Sequence, residues 1–300
     1  MLSYHGLTGP ELWRLLRWWI IHVGPKRDVT VDTSNGVLTF DSRNWLIGKY
    51  LYVKKAHEEN EIRSALELLM AEGLIGHRGN TIVNAGANIG MTCIALVRSG
   101  YFDRAIAFEP DPENYRLLVR NIDQNGLRER IQAFPVALSS TAGPLEFELS
   151  ADNSGDHRIR QTGRPGFYRE ETRRTISVPG ETLDHFFENR TEPVHACWVD
   201  IQGHEGHFFR GARTFLERGV PVIFELWPYG LERAGTTPRE LVSLVSEMYT
   251  HFWVIGNHDY QRAPLSDMIK LFDAYSGPRN FCLVVLAAKR GDSGGRVGSG

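Results

Sequence analysis

Hydrophobic and polar positions along the chain change period several times, and each change marks a new element. Leu12 to Val23 reads LWRLLRWWIIHV, a helical apolar stretch interrupted by Arg14 and Arg17. No uninterrupted run there approaches the roughly 18 apolar residues that a spanning helix needs. Between Asp28 and Asn44, VTVDTSNGVLTFDS alternates about Asn35-Gly36, the signature of a β-hairpin. Ile62, Leu66, Leu69 and Met70 then recur at helical spacing between Glu58 and Glu72. These pieces form a lead-in over residues 1–75.

From residue 76 strands and helices alternate. Thr81 to Asn84, Ala105 to Phe108 and Ile131 to Ala137 read as strands, with helices at Met91 to Arg98 and Asn114 to Asn125. Near-continuous apolar strands separated by helices imply parallel pairing with both sheet faces covered. Leu145 to Leu149 is a further strand, and Ala151 to Thr175 is irregular. The alternation resumes with a helix opening at Glu181 to Asp184, a strand at Ala196 to Ile201, a helix from His204 to Leu216, a strand at Pro221 to Leu226 and a helix from Leu241 to Met248. Phe252 to Ile255 and Phe281 to Ala287 read as an antiparallel closing pair. This unit is expected over residues 76–290, with a flexible tail, GDSGGRVGSG, over 291–300.

Composition narrows the field without naming a function. The chain has 300 residues and a formal net charge of −2, which gives no global footprint for nucleic acid or an anionic membrane. Cys93, Cys197 and Cys282 are widely spaced in apolar runs, so buried free thiols and a reducing, cytoplasmic setting are expected. The first helix, with Trp13, Trp18 and Trp19, is expected to rest on the domain or to serve as a homodimer surface. An interfacial membrane helix is the alternative.

Three strand-to-helix turns carry candidate chemistry. Asn84-Ala85-Gly86-Ala87-Asn88-Ile89-Gly90 ends a strand in glycines, a geometry that exposes backbone N–H groups and admits a ligand. Tight turns also need glycine for steric reasons, and GxxxG is not the GxGxxG of a dinucleotide site. Glu109 ends the next strand about 20 residues on, where a carboxylate accepts both ribose hydroxyls of an adenosine held at the turn. Asp200, His204 and Glu205 gather at the third turn as candidate bases, although His204 and Glu205 also suit helix capping. Glu225 and Trp227 end the following strand on the same carboxyl edge. The stretch 150–177 reads as a substrate loop. Its Asn153 and Asp156 suit hydroxyl-rich acceptors, and Arg158 with Arg160, Arg164, Arg169, Arg173 and Arg174 suits phosphate or carboxylate. A solvated charged loop is its plainer reading. His204 and His207 lack further ligands nearby, so no metal is expected.

Asn84 to Gly90, Phe108-Glu-Pro-Asp-Pro-Glu-Asn114 and Asp200-Ile-Gln-Gly-His-Glu205 together resemble the motifs of FkbM-type methyltransferases, over roughly Asn80 to Trp227. The resemblance implies a class I, Rossmann-like α/β fold: a mostly parallel sheet with helices on both faces and an antiparallel closing strand. It implies S-adenosylmethionine as cofactor, with Gly86, Ala87, Asn88, Ile89 and Gly90 along the methionyl portion. Glu109 and Pro110 would lie at the ribose, Val136 and Ala137 near the adenine, and Asp200 toward methyl transfer. The acceptor would be a hydroxyl on a small molecule or glycan. Asn84 and Gln202 depart from the family, which usually carries Asp and Glu there; weaker cofactor affinity follows for Asn84. A catalytically degenerate binding scaffold is therefore an alternative reading, and an NAD-dependent oxidoreductase a more distant one.

Overall fold

The computed structural model describes residues 8–151, 153–256 and 260–288. The chain opens with α1 (Gly9–Val23), whose capping box ties Thr8 to Glu11. The hairpin β1 (Asp28–Thr33) and β2 (Gly36–Asp41) follows, its turn formed by Ser34 and Asn35. Then come α2 (Trp45–Lys49), a π-helical turn over Tyr50–Lys54 and α3 (Glu59–Ala71). This region shares one hydrophobic cluster with the main sheet, since Trp18, Leu38, Phe40 and Leu69 cluster with Ile82, Ile94 and Leu118.

The main sheet begins with β3 (Asn80–Ala85), α4 (Met91–Arg98), β4 (Phe102–Phe108), α5 (Pro112–Gln124) and β5 (Ile131–Phe134). Pro135 supplies no N–H, and the strand expected to run on to Ala137 stops at Phe134. β6 (Ala137–Leu138), β7 (Gly143–Leu149), β8 (Arg158–Ile159) and β9 (Arg174–Glu181) instead form a separate four-stranded sheet in the order β6-β9-β7-β8. The stretch read as a loop thus contains structure of its own. Its last part is β9, paired antiparallel along all of β7. β9 carries few apolar residues and buries only Val178 and Gly180, so its pattern did not announce a strand.

The chain returns through α6 (Leu183–Phe186), β10 (Ala196–Val199), α7 (Glu205–Gly211), α8 (Arg213–Leu216) and β11 (Val222–Leu226). A single helix was expected over His204 to Leu216. It breaks at Ala212, where Gly211 lies so close to the Ser139 carbonyl that a Cβ would sit 1.9 Å from it. α9 (Pro228–Arg233), α10 (Pro238–Ser246), β12 (His251–Ile255), β13 (Ala263–Pro264), α11 (Ile269–Ala274) and β14 (Cys282–Ala287) complete the fold.

The large sheet has the order β13-β12-β14-β11-β10-β3-β4-β5. Pairing is parallel from β11 through β5, and β14 runs antiparallel between β11 and β12. This is the expected α/β class, with the closing strand inserted between its neighbours. After β5 the chain crosses back to β10 beside β3, so strand order reverses between β3 and β10. The crevice outside the carboxyl ends of strands at such a switch is where open α/β sheets bind ligands. The three cysteines are buried and unbridged. The expected tail, 291–300, lies outside the described residues.

Candidate functional site

A cavity of about 1050 Å³ opens at this switch point. That is at the upper end of the roughly 300–1,000 Å³ of ligand pockets, enough for two ligands side by side. One half is built by the β3 and β4 ends. Gly86 takes φ +77°, and a Cβ there would lie 1.8 Å from the Asp200 carbonyl oxygen, so only glycine lets the turn pass β10. Gly86, Ala87 and Asn88 line the cavity, with Phe108, Glu109, Pro110, Val136 and Ala137 beside them.

Glu109 is buried and anchored. Its Oε2 accepts the Asn88 N–H at 2.8 Å and its Oε1 the Asp111 N–H at 2.9 Å. Burial pushes its carboxyl up to about 8, against the pull of these two N–H groups. Beyond those two bonds the carboxyl keeps acceptor capacity and, when protonated, one O–H, both available to ligand hydroxyls. The turn does not expose its N–H groups as expected. Gly86 and Ala87 donate to the Phe108 carbonyl at 3.0 and 2.9 Å, and Ile89 donates to the Asn88 side chain at 2.8 Å. The loop is internally satisfied and holds no N–H group in reserve for an anion.

The other half is acidic. Asp200 follows β10 and Glu225 sits in β11, and both line the cavity. Gln202 joins them, its Nε2 donating to Asp200 Oδ1 at 2.7 Å and to Glu225 Oε1 at 3.4 Å. It does so from a left-handed backbone, φ 54°, that a residue with a side chain adopts at a cost. Burial, with Glu58 nearby, raises Asp200 to about 6; Gln202 and His57 hold it down. Glu225 is raised well above the ordinary range by burial and then by Asp200, Glu205 and Glu58. Two adjacent carboxyls whose environments push them apart can divide the roles of base and proton donor.

The structure sorts the remaining expectations. Asn153, Asp156 and Trp227 line the cavity. Glu205 is off it: its Oε1 accepts the Ile201 and Gly203 N–H groups at 3.1 and 3.3 Å, so it braces the turn from beneath. That removes Glu205 from the candidate bases; it holds the turn that precedes α7. His204 reaches the wall but is committed to Ser139 at 2.9 Å, stacked on His207 at 4.1 Å, and kept neutral by burial. Asn84 is buried at the β3–β10 seam, donating to the Trp198 carbonyl at 3.3 Å with Oδ1 unpartnered, and does not line the cavity. Ile89 and Gly90 also lie behind the wall; Gly90 packs on Leu118 and Ile94.

Arg158 is likewise withdrawn from the expected substrate contacts. It is buried in ion pairs with Glu148 at 3.1 Å and Asp156 at 2.9 Å, and lies 4.9 Å over the Trp227 ring. Arg160 and Arg173 also pair with Glu148. These guanidinium groups neutralise Glu148 of β7 and Asp156 of the loop.

Sequence reasoning missed the strap His57-Glu58, which lines the cavity opposite Asp200. Asn35 of the hairpin turn holds it, exchanging hydrogen bonds with the His57 backbone at 2.9 and 3.1 Å. Burial raises Glu58 to about 7 and lowers His57. No local pattern signals such a contact, because its partners are far apart in sequence.

Glu109 and the Asp200–Gln202–Glu225 cluster thus line one cavity at the switch point. The family model described as the methyltransferase FkbM domain matches residues 84–254, and the chain belongs to that family. It is 32% identical over 163 residues to methyltransferase sdnD of Sordaria araneosa, spanning 54% of this chain and 54% of that protein. The chain thus spans about half the length of that relative. Among solved structures it is similar to a geranyl diphosphate methyltransferase in complex with SAM (13% identity, 77% and 86% of the two chains covered, TM-score 0.39). It is also similar to the METTL16 MTase domain (11% identity, 93% and 91% covered, TM-score 0.45).

S-adenosylmethionine is the cofactor of this family, and the residues present fit it. Glu109 has hydrogen-bonding capacity to spare for ribose hydroxyls. Val136, Ala137 and Phe108 line the cavity beside Glu109 and would suit a purine, and the Gly86–Asn88 turn would border the methionyl chain.

Proposed function

We propose that this protein transfers a methyl group from S-adenosylmethionine to a hydroxyl of a small-molecule or sugar-bearing acceptor. The observation that carries the reading is the single cavity in which Glu109 and the Asp200–Gln202–Glu225 cluster face one space. The cofactor supplies an electrophilic methyl group on a sulfonium. Glu109 accepts the ribose hydroxyls and fixes its position along β4. Asp200 accepts the proton of the attacking hydroxyl, and Gln202 aims its carboxylate. The carboxyl of Glu225, raised well above the ordinary range by burial, donates a hydrogen bond to the acceptor. Asn153, and Asp156 with its partner Arg173, line the cavity and support a polar, hydroxyl-rich acceptor.

The scaffold alternative rested on Asn84 and Gln202. Asn84 does not line the cavity, and Gln202 offers donors to both carboxyls, so neither departure empties the site of a base. Calorimetric titration with S-adenosylhomocysteine, with NAD as control ligand, tests the reading. Saturable binding of the first alone supports it. Binding of NAD, or of neither by folded protein, defeats it. Methyl transfer to a panel of hydroxyl and amine acceptors then separates enzyme from scaffold and oxygen from nitrogen.

A further inference from the structure

α1 uses only one face inside the protein. Trp18 is fully buried among Phe40, Trp45 and Tyr52, with ring centroids 5.6, 6.3 and 5.8 Å away. Away from it, Leu12, Trp13, Leu16, Trp19, Ile20 and Val23 are each between 46% and 62% exposed. Their spacing makes one continuous apolar stripe along the helix. A contiguous patch of this kind marks an interaction surface, where scattered single residues would not.

The surroundings are basic. Residues 8–56 hold eight Lys and Arg against four Asp and Glu, in a chain whose net charge is −2. Three of the four acids are already paired: Glu11 with Lys54, Asp28 with Arg116 and Arg120, and Asp41 with Lys26. Arg17 is exposed between Trp13 and Ile20, and Arg27 is exposed just past the helix end. Tryptophans on an apolar stripe edged by arginine suit the headgroup region of a bilayer. A second copy is a poor occupant. Fifteen residues of helix offer roughly 22 Å by 10 Å of face, on the order of 220 Å². A stable protein interface takes about 800 Å² per partner. Two copies meeting there would also oppose like charges.

We infer that α1 docks the protein peripherally on an anionic lipid surface, its apolar stripe at headgroup level and Arg17 and Arg27 against acidic headgroups. No helix among the described residues is long and apolar enough to cross a membrane, so the contact is interfacial. α1 packs on α2 and the π-helical turn, whose Leu46, Ile47 and Tyr50 form one wall of the cavity. Docking therefore sets that wall beside the bilayer.

The test is co-sedimentation of the full chain with phosphatidylcholine vesicles and with vesicles containing phosphatidylglycerol, at low and high salt. Binding to the anionic vesicles alone, weakened by salt, is expected. Arg17→Glu should weaken it about fivefold or more. Trp13→Ser with Trp19→Ser should weaken it by at least about tenfold, the scale of two lost indoles. Both variants should keep the wild-type melting temperature, and if the double variant unfolds, the salt dependence and Arg17→Glu decide. Equal binding to neutral vesicles, or no binding to either, overturns the inference. A dimer in light scattering that the tryptophan variant dissociates, without vesicle binding, assigns the face to a second copy instead.

Discussion

At the scale of single residues, one carboxylate separates cofactor binding from chemistry. Glu109 accepts two backbone N–H groups and, in the proposed site, turns its remaining hydrogen-bonding capacity to the ribose. Glu109→Ala should cost about 1–3 kcal/mol of S-adenosylhomocysteine affinity, the range for leaving buried hydrogen-bonding groups without their partner. Unchanged affinity by calorimetry in a folded variant would remove Glu109 from the ribose site. Asp200 behaves differently. A base raised to about 6 is active only once deprotonated, so kcat/KM should rise with pH through about 6 and level off above it. Asp200→Asn should abolish that limb and most turnover while leaving cofactor affinity in place. Gln202→Glu should displace the limb to higher pH, because a third carboxylate would face Asp200 and Glu225. A limb that stays at the same pH would show that Gln202 does not govern Asp200.

At the scale of elements, the site depends on contacts between segments distant in the chain. Asn121 of α5 is fully buried and accepts the Thr39 N–H at 2.7 Å. It donates to the Thr39 carbonyl at 3.0 Å and to the Ile89 carbonyl at 2.7 Å, which ties the hairpin to the cofactor turn. Asn121→Leu would leave those backbone groups unpaired in the interior. A loss of about 2–3 kcal/mol in urea unfolding, with weakened S-adenosylhomocysteine binding, is expected. Wild-type stability would mean that water or a neighbour replaces the amide. The repeated strand–helix pattern announced β3, α4, β4 and α5 well, because their apolar faces are complete within each element. β9 and the π-helical turn were silent, since their partners lie elsewhere in the chain.

For the whole molecule, buried carboxyls set the response to pH. Burial raises Glu109 and Glu205 to about 8 and lifts Glu225 well above the ordinary carboxylate range. The folded protein therefore holds protons that the unfolded chain has released above the ordinary carboxylate range. Stability falls as pH rises toward about 8, because folding must take those protons up from a solution that holds fewer of them. Buried His204 has the opposite sign, its loss setting in below the ordinary imidazole value of 6.5. The melting temperature should accordingly decline between pH 6.5 and about 8. Glu205→Gln should flatten that decline, since an amide oxygen still accepts from Ile201 and Gly203 without a charge to bury. An unchanged slope in the variant would place the buried protons elsewhere.

Taken alone, the amino-acid sequence determined the class of fold, the family, and the three strand-end turns that line the cavity. Each of these rests on local periodicity or on residues adjacent in the chain. The tertiary structure alone decided which side chains reach the cavity. It turned Glu205 inward, closed Arg158 into ion pairs, buried Asn84 at the strand seam and brought His57 and Glu58 opposite Asp200. Those outcomes follow from where carboxylates, guanidinium groups and backbone amides meet across long separations, and a buried charge is placed by its partners, not by its neighbours in sequence.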